Sequence, residues 1–91
     1  SVAYGSDVAA TEMIVRNALV SLPGIIMHDP APRVIFNRFG ESAIELSAYY
    51  WIEVKAVGQW SNTEEAAAIL SAALAENSIE ANVHVQSFNS S

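Results

Sequence analysis

His28 and His84 are the two imidazoles in a chain of 91 residues that has no cysteine. A metal site needs two or more ligands that their spacing brings together. His28 sits in a connector beside Asp29, and His84 lies on a segment that alternates like a strand, so each reads as an isolated surface residue. Nucleophilic catalysis needs a Ser or Thr next to a base and a donor for the oxyanion. No serine here stands in a nucleophile-elbow pattern, and Ser6 and Ser61 fall where helix caps are wanted. Glu45 and Glu53 share one strand face but are far apart, which suits a solvated sheet face better than an acid–base pair. Arg33 and Arg38 flank Asn37 and could hold an anion, yet Gly5, Gly24, Gly40 and Gly58 are isolated at breaks between elements and build no phosphate cradle. These residue types predict no catalytic group, no metal ligand and no cofactor.

The side chains with something to offer are apolar. From Phe39 to Lys55 the sequence FGESAIELSAYYWIEVK alternates with a period of two, with Ile44, Leu46, Ala48, Tyr50, Ile52 and Val54 on one face. Ala48 to Ile52 carries no charge on either face, as in a strand flanked on both sides. If the even-numbered residues face helices, Tyr49 and Trp51 point the other way together with Ile35 of the preceding strand. An open sheet face with aromatic side chains is costly unless something covers it, and Trp and Tyr dominate binding interfaces. Ile35, Tyr49 and Trp51 are therefore the candidate subunit interface; the alternatives are a C-terminal tail folded across them or tolerated exposure.

The elements that must position these residues follow from local signals. Val2 to Tyr4 reads as a short strand, stopped by Gly5-Ser6-Asp7, where Ser6 or Asp7 caps a helix running to about Leu22. Its core positions are Val8, Thr11, Val15, Ala18, Leu19 and Leu22. Pro23-Gly24 ends it, and Ile25 to Pro32 is a connector in which Pro30 and Pro32 bar a helix. A second strand, Arg33 to Phe39, turns through Gly40-Glu41-Ser42 into the long one, pairing antiparallel. Ser61-Asn62-Thr63-Glu64 is a capping box that opens a second helix to about Glu76, packing through Ala66, Ile69, Leu70, Ala73 and Leu74. Glu80 to Gln86 alternates again as a last strand. The order strand, helix, strand, strand, helix, strand predicts an α+β, ferredoxin-like domain over residues 1–86, with both helices on one face of a four-stranded antiparallel sheet. Residues 87–91 are expected to form a loose tail from which Phe88 can dock onto the domain.

Composition limits the partners. Four Lys and Arg against ten Asp and Glu give a net charge of −6, which repels nucleic-acid phosphates and anionic lipid surfaces. An apolar share of 52% supports a folded core, although many of those residues are alanines. The best apolar run, Ala66 to Ala75, is about half of the ~20 residues that a membrane span requires. No basic segment leads into a hydrophobic one at the N-terminus, and the start on Val2-Ala3-Tyr4, already strand-like, suggests a piece of a longer chain.

Three stretches together resemble a known family: AYGSD at Ala3 to Asp7, DPAPRVIFNRFGESAIELSAYYWI at Asp29 to Ile52, and NVHV at Asn82 to Val85. They are similar, in order, to the soluble C-terminal domain of small-conductance mechanosensitive channels. The resemblance implies a ferredoxin-like, non-catalytic domain on the cytoplasmic side of the inner membrane. Copies of it pack side by side, commonly seven, into a perforated cage below the pore, and touch the membrane only through other segments of the parent. One departure is that Ile79-Glu80-Ala81-Asn82 stands where relatives usually carry a proline-rich run. Two rival readings are a ferredoxin-like regulatory module binding a small molecule through Gly24, Gly40 and the Asp29-Pro30 turn, and a small hydrolase using Arg33, Arg38 or His28.

Overall fold

The computed structural model describes residues 4–53 and 63–90. In chain order these form α1 (Tyr4–Leu19), β1 (Ile25–Ile26), β2 (Arg33–Phe39), β3 (Ile44–Glu53), α2 (Thr63–Glu76) and β4 (Ala81–Ser90). The alternation seen in the sequence becomes physical in β3. Leu46, Ala48, Tyr50 and Ile52 are buried, while Ser47, Tyr49 and Trp51 between them are half-buried.

Every other strand pairs with β3. Trp51 lies opposite Ile26 on one side and Phe88 on the other, and Tyr49 lies between Arg33 and Gln86. β1 and β2 therefore share one edge of β3 end to end, and β4 takes the whole opposite edge. β1 and β2 run antiparallel to β3; β4 runs parallel to it, in register from Ile44 opposite Ala81 to Glu53 opposite Ser90.

Both helices cover the even-numbered face. Val15, Leu19 and Leu22 from α1 and its following turn, and Ala66, Leu70 and Leu74 from α2, form one buried cluster with Leu46, Ala48, Tyr50 and Ile52. Each fully buried leucine contributes roughly 1.5–3 kcal/mol by leaving water. On the outer side of α1, Arg16 and Glu12 pair at 3.2 Å across one turn, and both are exposed enough for the pair to add only ~0.3–0.5 kcal/mol.

The domain is thus α+β and of ferredoxin-like type, with a changed strand order. Of the strand expected at Val2 to Tyr4, Tyr4 belongs instead to α1, and Val2 and Ala3 lie outside the described residues; Ser6 and Asp7 fall inside the helix instead of before it. β4 occupies one edge of β3 along its whole length. In the split βαβ order the first strand separates the two strands joined by the second helix. Here no strand intervenes, so β3, α2 and β4 close as an unsplit unit with a parallel pair, in place of the all-antiparallel sheet expected.

Smaller differences also have local causes. The connector includes β1, because Ile25 and Ile26 continue the β2 edge past a six-residue detour through Pro30 and Pro32. α1 stops at Leu19 and tightens into a turn in which the Leu22 N–H donates to the Leu19 carbonyl at 2.9 Å. Residues 87–90, expected to be loose, are strand: Ser87 pairs with Tyr50, Phe88 with Trp51, Asn89 with Ile52 and Ser90 with Glu53. Ser61 and Asn62 of the capping box, and Val54 and Lys55 of the long strand, lie outside the described residues.

Two turns set the hairpin and the second helix end. In the β2–β3 turn the Gly40 N–H donates to the Ala43 carbonyl at 2.9 Å, and a Cβ at Gly40 would sit 2.9 Å from that same oxygen. Only glycine permits so close an approach. α2 ends with the Ile79 N–H donating to Leu74 O and the Ser78 N–H to Ala75 O, both at 2.9 Å, with Ser78 at φ 62°. That is a Schellman closure with serine in the left-handed position that glycine usually fills.

Candidate functional site

The face of the sheet away from the helices is built from odd-numbered residues of β3 and their directly opposite partners, which point the same way. From the register, Glu45 lies between Arg38 and Asn82, Ser47 between Ile35 and His84, Tyr49 between Arg33 and Gln86, and Trp51 between Ile26 and Phe88. The face is graded: charged and polar at the start of β3, aromatic towards its end. At the aromatic end the Phe88 ring stacks on Trp51 with centroids 5.2 Å apart and on Tyr49 at 6.4 Å.

All three candidate interface residues are on this face. Tyr49 and Trp51 converge, and Phe88 leaves both half-buried. Ile35 is 38% exposed and sits opposite Ser47, diagonal to Tyr49. Sequence reasoning missed Ile26, because its strand was not seen, and underused Phe88. The signal for Phe88 was present: it continues the even-numbered series Asn82, His84, Gln86 that faces outward.

A bulge shapes the polar end. Phe36 opposes Leu46 and Arg38 opposes Glu45, so Asn37 is the extra residue. It resets the alternation, placing Phe36 and Phe39 on the helix side, stacked at 5.8 Å. Asn37 and Arg38 stay on the open side, where the Asn37 amide donates to Ser47 Oγ at 2.8 Å.

The residues weighed for chemistry remain apart. His28 is exposed in the connector, and His84 is exposed opposite Ser47. Glu45 and Glu53 are at opposite ends of β3, about 27 Å apart at ~3.4 Å per residue, well beyond the spacing of paired catalytic carboxylates. Arg33 and Arg38 are separated by at most about 17 Å of strand on the same rise. Among the described residues no three His, Cys, Asp or Glu side chains cluster.

Inside the core Tyr50 is buried, and desolvation raises its phenol above the usual 10.0. Beside the hairpin turn a cleft of about 510 Å³ is lined by Thr11 and Ile14 of α1, Gly40 and Glu41 of the turn, and Ser78 and Glu80 after α2, among others. Thr11 is completely buried, and its hydroxyl oxygen has no hydrogen-bond partner among the described residues.

The domain is a two-layer α+β domain with its core on one side of the sheet and Trp, Tyr, Phe and Ile gathered on the other. The chain belongs to the family described as mechanosensitive ion channel MscS, C-terminal, whose model matches residues 1–84. It is therefore a mechanosensitive-channel-associated domain. No helix among the described residues is long and apolar enough to cross a membrane. No curated protein and no solved structure matches the chain.

Proposed function

We propose that this domain is a non-catalytic assembly element of a mechanosensitive channel, a wall segment of a cytoplasmic cage built from copies of itself, seven in the family's usual form. Residues 1–86, carried on by β4 to Ser90, act as one unit. Neighbouring subunits meet through Ile35, Tyr49 and Trp51. The observation that carries this reading is the graded open face: its aromatic end stays partly exposed even with Phe88 stacked on it, as a subunit contact requires. The net charge of −6 gives openings between such walls a negative potential.

The test is a photo-crosslinking amino acid at Ile35 in the membrane-embedded parent protein. The expected result is a ladder of self-adducts ending at the heptamer. Monomer alone after irradiation, with the channel intact, would remove Ile35 and its face from the contact.

A second reading, the regulatory small-molecule module, is favoured by the cleft at Gly40, which matches one of its anticipated loops. Gly24 and the Asp29-Pro30 turn do not line that cleft. A thermal-shift screen with amino acids and nucleotides separates the two: a reproducible rise in melting temperature favours the module.

A further inference from the structure

At the end of the sheet away from the aromatic rings, three elements converge on the cleft of about 510 Å³: the first half of α1, the β2–β3 turn, and the segment where α2 closes and β4 begins. Ile44 in its wall and Trp51 on the open face lie roughly 24 Å apart along β3 at ~3.4 Å per residue, so the two places are separate. The volume falls within the ~300–1,000 Å³ that small-molecule sites occupy. Backbone bonds hold the walls: the Ile44 N–H donates to the Glu80 carbonyl and the Gly40 N–H to the Ala43 carbonyl, both at 2.9 Å.

The chemistry of the lining is one-sided. Glu41 and Glu80 supply two carboxylates, and among the described residues no Lys or Arg lines the cleft. Asn77 and Ser78 bring the C-terminal end of α2 to it, which is the negative end of the helix dipole. Ile14, Ile44 and Ile79 supply an apolar wall. Thr11 forms the floor, completely buried, with a hydroxyl that has no hydrogen-bond partner among the described residues. Such a hydroxyl costs stability for as long as it stays unpaired. Rim, wall and floor together specify a cationic head, a short alkyl body, and a neutral far end able to donate or accept a hydrogen bond.

We propose that the cleft binds a short amino alcohol, with its ammonium between Glu41 and Glu80 and its hydroxyl on Thr11 Oγ1. This rests on the second reading above and names the ligand class for it. The charge stays at the wet rim, and only the neutral end enters the dry floor. A second ammonium at the floor would be buried without a counter-charge, and a carboxylate or phosphate would meet the two glutamates at the rim. Thr11 is closed to water, so Glu41 and Ser42, exposed in the turn, are the wall that gives way to admit the hydroxyl.

The test is an amide chemical-shift titration of the 91-residue chain with 4-amino-1-butanol. The amides of Gly40, Ile44 and Ser78 should move saturably, with a Kd on the order of 1 mM for so small a ligand. n-Butylamine lacks the hydroxyl and should bind ~5–10-fold more weakly. 1,4-Butanediol lacks the charge and 4-hydroxybutyrate reverses it, and neither should move these amides at the same concentrations. In Thr11→Val the preference for the amino alcohol over the amine should vanish, while Glu41→Gln combined with Glu80→Gln should weaken both at least ~3-fold. The proposal is overturned by the absence of a saturable shift, by equal affinity for amino alcohol and amine in the unmodified chain, or by unchanged affinity in the double variant. A rise in melting temperature with an amino acid or nucleotide but not with the amino alcohol would keep the small-molecule module and remove this ligand class. None of these results bears on the crosslinking ladder from Ile35.

Discussion

Removing the Phe88 ring tests whether the last strand belongs to the domain. Phe88 is 36% exposed, so about two-thirds of it is covered, chiefly by Trp51 at 5.2 Å and Tyr49 at 6.4 Å. A fully buried Phe→Ala change costs ~3–5 kcal/mol. Two-thirds coverage reduces this to about 2–3 kcal/mol, of which the ring–ring geometry supplies ~0.5–1.5 kcal/mol. Against a total of ~5–15 kcal/mol for a domain of ordinary stability, that is a large fraction. Phe88→Ala should be followed by urea unfolding with Trp60 replaced by Phe, which leaves Trp51 as the one indole reporter. The expected result is an earlier midpoint at an unchanged slope, together with a red-shifted native emission as Trp51 gains water. A loss below ~0.5 kcal/mol with unshifted emission would mean that the C-terminal residues do not lie against the open face, and the sheet would end near Gln86.

Three further outcomes follow from single features. Thr11→Val replaces a buried, unpartnered hydroxyl with a methyl of the same shape and should raise stability by ~1–3 kcal/mol, read from chemical denaturation. Ser78→Gly relieves the left-handed backbone at φ 62° and should gain about 1 kcal/mol, read as a higher melting temperature. Tyr50 is held neutral by burial, with its pKa above 10.0. Its contribution is therefore complete below the unfolded value near ~10 and is lost as pH rises through the folded value, because the unfolded chain releases the proton first. Tyr50→Phe should flatten this alkaline decline in unfolding titrations.

The two-sided character of β3 was legible because burial and sequence period coincide: each even residue from Leu46 to Ile52 is buried, and no odd one is. Thr11, Val15 and Leu19, and Ala66, Leu70 and Leu74, were legible for the same reason, since a repeat of four places them on one helix face. The start of α1 was not legible. Tyr-Gly-Ser-Asp carries turn and cap signals that suit a boundary, yet these four residues form the first turn of α1. Pairing direction was not legible either. Nothing within Ala81 to Ser90 says whether β4 lies beside β3 or beyond an intervening strand, because its alternation serves both. The candidate face was half legible: Tyr49 and Trp51 follow from parity within one strand, whereas Ile26 and Phe88 reach them only through register across strands.

Phe88 ties the last strand to the open face. It stands on the edge strand β4, and its ring belongs to the aromatic end of the open face, where Gln86 of the same strand lies opposite Tyr49. The stack of Phe88 on Trp51 and Tyr49 adds side-chain packing to the backbone pairing that joins the end of β4 to β3. If the open face is the proposed subunit contact, a docking copy meets the same three rings from above.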